Sequence, residues 1–105
     1  MAAYFTLTRK SAPEAGPVAL NAIDAEICAL MGQPVHERRY CLGWFDAIGY
    51  WLACSETWAQ IRERHLQWRA DPSEDDAGRD AYYDGLAKIL DWLEAEFMVD
   101  CWGGR

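Results

Sequence analysis

From Gly43 to Cys54 the sequence GWFDAIGYWLAC is apolar almost all the way round a helix, which constrains the fold more than any other feature. At 3.6 residues per turn, Trp44, Ile48, Trp51 and Ser55 fall on one line, spaced i, i+4, i+7 and i+11. Phe45, Ile48 and Leu52 fall on the neighbouring line, and Asp46 is the polar exception. A helix apolar on every side belongs at the centre of a domain, so the other elements must pack around it. Gly49 within it costs up to about 1 kcal/mol relative to alanine, a cost that a second backbone packed close by would justify.

This stretch also begins a run of four of the six tryptophans: Trp44, Trp51, Trp58 and Trp68. One unbroken helix over 43–68 would set the first three on a heptad line. Ser55 argues for a break. It is the expected N-cap of a separate helix reaching Trp68, with Glu56 near its positive end and Arg62 and Arg64 toward its negative end. In that helix Trp58, Ile61, His65 and Trp68 share a face. Most of the tryptophans therefore read as core, Trp51 foremost; the alternative reading is that one or two of them, Trp68 or Trp102, are exposed anchors for a partner.

Around this centre the pattern gives further elements. AYFTLT at 3–8 is β-branched and aromatic and predicts a strand. SAPEAGP, with two prolines and a glycine, predicts a loop. Ile23, Ile27, Leu30 and Met31 predict a helix over 22–31, capped by Asn21 and ended by Gly32, with Pro34 beyond. VHERRYCLG reads as irregular and ADPSEDDAGRD as a charged linker. AYYDGLAKILDWLEAEF is the clearest helix, its stripe formed by Tyr82, Leu86, Ile89, Leu90, Leu93 and Phe97. FMVDCW alternates as a strand does. The expected fold is one α+β domain over 1–105, with about four helices packed on a small two-stranded sheet made by the chain's terminal strands.

Composition excludes several classes. Half the residues are apolar and 13% aromatic, too rich for a disordered chain. No apolar run reaches the roughly 18 residues of a membrane span, and MAAYFTLTRK lacks the basic start and apolar run of a secretory signal. The expectation is a protein of the cytoplasm. The net charge is −7. Residues 1–70 carry seven acids and seven bases, whereas 71–105 carry ten acids against Arg79, Lys88 and Arg105. Without clustered Lys and Arg to neutralise phosphates, direct nucleic-acid binding is not expected. A basic protein surface suits the acidic last third.

The residues that could carry chemistry form no motif. Cys28, Cys41, Cys54 and Cys101 contain no C-x-x-C pair, and their spacings match no zinc pattern, so they read as reduced thiols, mostly buried. A cysteine nucleophile would need His36 or His65 as its base, and no flanking motif supports either. Glycine-rich phosphate loops are absent, and His36-Glu37 lacks the second histidine of a zinc protease motif. Asp80 and Asp84 could share acid–base work but fit a solvated helix face better. The expectation is no enzyme, no cofactor and no metal.

Asp80, Asp84, Asp91 and Glu94 lie largely opposite the Leu86–Leu90–Leu93 stripe, and carboxylates at i and i+4 stand about 6 Å apart. That approximates the spacing of phosphates along a nucleic-acid strand. The plain reading is solubility; the sharper one is an acidic surface that fills a basic groove, extended by Glu74, Asp75 and Asp76 of the linker.

The stretches IDAEICALMG, VHERRYCLGWFDAIGYWLA and ILDWLEAEFMVDCWGGR resemble a group of small accessory proteins of tailed phages and prophages, over Ile23 to Arg105. No activity is attached to that group, so no functional residue carries over. The resemblance implies a mobile-element context, in which small acidic proteins include anti-CRISPR and other anti-defence inhibitors that act by binding. The expectation is thus a non-enzymatic inhibitor acting in the cytoplasm of a bacterial host, with a basic-surfaced host protein as partner and neither nucleic acid nor membrane. The alternatives are a structural or regulatory phage component working as a homo-oligomer, and a small enzyme using Cys41 or Cys54 with a histidine.

Overall fold

The computed structural model describes residues 5–32, 42–71 and 79–100. Three strands, β1 (Thr6–Arg9), β2 (Pro17–Val18) and β3 (Phe97–Asp100), and four helices, α1 (Asp24–Leu30), α2 (Leu42–Cys54), α3 (Trp58–Arg69) and α4 (Arg79–Glu96), make the α+β fold. Short 3-10 turns at Pro13–Ala15 and Leu20–Ile23 join the first elements.

The sheet has three strands rather than two, in the order β2-β1-β3 and antiparallel throughout. Leu7 faces Val99 on one side and Val18 on the other. The extra strand comes from the end of the segment expected to be a loop. Gly16 holds φ at +82°, a conformation that a Cβ disfavours, and so reverses the chain. Pro17 then starts an edge strand, where a missing N–H leaves no ladder bond unmade. Proline broke the sequence pattern without preventing pairing.

Helix starts also differ from expectation. No side chain caps α1; the turn at Leu20–Ile23 feeds straight into it, with Ile23 in the cap position and Asn21 uninvolved. Its exit follows expectation, with Gly32 at φ +70°. Thr57, not Ser55, caps α3. The Gln60 amide donates to Thr57 Oγ1 at 3.2 Å, and the Glu56 amide donates back to Gln60 Oε1 at 2.5 Å. This is a variant of the reciprocal capping arrangement that T-x-x-Q encodes. Ser55 is instead fully buried and accepts a hydrogen bond from Arg64 Nε at 3.0 Å, while Arg64 Nη2 donates to the Cys54 carbonyl at the end of α2. A guanidinium there satisfies a terminal carbonyl and complements the helix dipole.

The core joins α2, α4 and the inner sheet face. Ile48, Trp51, Leu52, Leu86, Ile89, Leu90 and Leu93 are fully buried, with Leu7, Ile23, Ile27, Ile61 and Phe97 around them. Trp51 is core as expected, and Trp44, Trp58 and Trp92 pack half-buried against it. On α4 the interior place at the first turn goes to Tyr83, leaving Tyr82 only partly buried. The close approach falls at Gly85 rather than Gly49. A Cβ on Gly85 would meet Met31 Cε at 2.7 Å, whereas one on Gly49 would touch only Leu20 Cδ2 at 3.7 Å. Arg9 ties α1 to the sheet, pairing with Glu26 while lying over the Phe97 ring at 5.1 Å.

Candidate functional site on the α3–α4 ridge

Helix α4 is amphipathic, and its outer face carries the four acids singled out above. All four are exposed, and the structure adds two arginines from α3. Arg69 Nη1 donates to Asp84 Oδ1 at 2.7 Å, and Arg69 Nη2 lies 4.0 Å from Asp80. Arg62 Nη2 reaches both Asp91 Oδ1 and Glu94 Oε1 at 2.8 Å. Arg62 and Arg69 stand i and i+7 on α3, so they project from the same side and clasp the antiparallel neighbour at two levels. Between those levels His65 Nε2 lies 2.8 Å from the Tyr83 carbonyl oxygen inside the helix pair. A carbonyl only accepts, so this nitrogen carries the proton.

Pairing offsets half of the four acidic charges, which spacing on α4 alone could not show. The exposures are unequal, however. The carboxylate side chains keep 86% (Asp80), 66% (Asp84), 74% (Asp91) and 48% (Glu94), while Arg62 and Arg69 keep 32% and 35%. Solvent therefore meets mainly carboxylate, with guanidinium tucked into the seam beneath. Burial works against the charged form of Arg62, yet its hydrogen bonds to Glu94 and Asp91, and their charges, outweigh it and raise its pKa above the ordinary value. Each carboxylate has room for further donors beyond the one arginine it meets.

Several sequence candidates lie outside the described residues: Glu74, Asp75, Asp76, His36, Cys41, Cys101 and Trp102. Of the cysteines that are described, Cys28 is buried and Cys54 exposed. His65 is committed to the α3–α4 interface, edge-on to Trp51 and Tyr83. Trp68 is partly exposed, at 37%, and leans against Tyr50 with ring centres 5.7 Å apart. A shallow hollow on α3 is lined by Gln60, Glu63, Arg64 and Gln67. Gln60, Arg64 and Gln67 are engaged with Glu56, Ser55 and Glu63 respectively. Among the described residues no group of three or more His, Cys, Asp or Glu is placed to hold a metal ion, and no helix is long and apolar enough to cross a membrane.

Comparison with known proteins returns no relative: no protein-family model, no curated protein and no solved structure matches the chain.

Proposed function

We propose that the protein is a non-enzymatic binding protein that presents the α3–α4 ridge, through Asp80, Asp84, Asp91 and Glu94, to a host protein with a basic surface. The observation that carries this reading is the exposure asymmetry of the ridge, carboxylates outward and arginines inward. A partner approaching from solvent meets negative charge first, and charge of one sign steers encounter and selects partners of the other. The phage resemblance of the sequence gives the sharpest form of the proposal: an anti-defence inhibitor occupying the basic groove of a nucleic-acid-guided nuclease.

The test is affinity capture from a bacterial host lysate, comparing the native chain with an Asp84→Asn/Asp91→Asn variant. Asparagine removes charge while keeping shape. The expected result is a captured protein that the variant fails to retain and that salt releases, because exposed charges are screened over about 8–10 Å at physiological ionic strength. Equal capture by both chains at low salt overturns the proposal and moves the interface to the Tyr50–Trp68 surface.

A further inference from the structure

We draw no further inference here: the strongest candidate, the exposed aromatic pair Tyr50 and Trp68 where α2 meets α3, is an apolar face for which nothing in the structure shows what covers it.

Discussion

His65 Nε2 and the Tyr83 carbonyl oxygen, 2.8 Å apart, join α3 to α4 through a buried imidazole. Tyr83 already closes a backbone bond within α4, so the imidazole adds a second donor to that carbonyl. The ring also fills space between Trp51 and Tyr83, its centre 5.8 and 5.9 Å from theirs. Two contributions are therefore separable. His65→Ala, which loses both packing and hydrogen bond, is expected to cost about 2–4 kcal/mol. His65→Phe keeps a ring and loses only the bond, at about 1 kcal/mol. Urea denaturation of both variants checks this, and equal losses would show that packing plays no separate part.

Trp51→Ala is expected to be the most damaging single truncation among the tryptophans. The side chain is fully buried, and removing so large a group costs about 3–5 kcal/mol. Against a typical domain stability of about 5–15 kcal/mol, the unfolding midpoint should fall sharply. Its indole N–H has no hydrogen-bond acceptor among the described residues, though it lies in a cluster where the Trp68 ring stands near-perpendicular at 5.1 Å. Trp68→Ala should cost less than half as much, since that side chain is already partly in water.

Two helix glycines should respond in opposite directions. At Gly49 a methyl group makes an ordinary contact with Leu20, so Gly49→Ala should stabilise by up to about 1 kcal/mol through helix propensity. At Gly85 the same methyl group meets Met31 at 2.7 Å and the Trp44 ring at 3.4 Å. Met31 has a flexible end that can move, but Trp44 closes the other side, so overpacking of about 1–3 kcal/mol should cancel or exceed the gain. Thermal melts of the two variants decide it; a stabilised Gly85→Ala would mean the α1–α2–α4 junction repacks freely.

Thiol accessibility separates the described cysteines. Cys54 is exposed and Cys28 is buried. In a Cys41→Ser/Cys101→Ser background, a thiol reagent should modify Cys54 promptly in the native protein and Cys28 only after denaturant is added. Prompt reaction at both positions would place Cys28 outside the core.

Charge reversal on the ridge is expected to carry a larger structural cost than neutralisation. Lysine at 84 and 91 would face Arg69 and Arg62 at the distances now spanned by ion pairs. The arginine clasps give this reversal a cost that spacing on α4 alone does not show. Exposed pairs contribute about 0–1 kcal/mol each, so Asp84→Lys/Asp91→Lys should lose roughly 1–2 kcal/mol and recover part of it in high salt. Asp84→Asn/Asp91→Asn should lose less, with little response to salt.

The elements that the sequence announced were those set by local periodicity. The stripe from Leu86 to Phe97, the ends of α2 and the alternation of β3 follow from side-chain geometry within one segment. What it hid depends on partners far along the chain. Pro17 reads as a breaker until β1 supplies the other half of an edge pair. Ser55 outranked Thr57 as a cap because it follows an apolar run, although Gln60 three positions after Thr57 was the better signal. Arg62 and Arg69 sit in register on α3, but nothing local says that α4 lies opposite them. The ridge was therefore half legible: its acids were visible, and their neutralising partners were not.

The placement of β1 between β2 and β3 imposes an order on biosynthesis. The β1–β2 pairing closes within a short span and can form early on the ribosome. Val99, opposite Leu7 on the other flank, is made only after all four helices. Closing so long a loop is slow compared with local contacts. Until then, one edge of the central strand stays open on the nascent chain, an invitation to mispairing. Translation must run almost to the end of the described residues before this sheet can be whole.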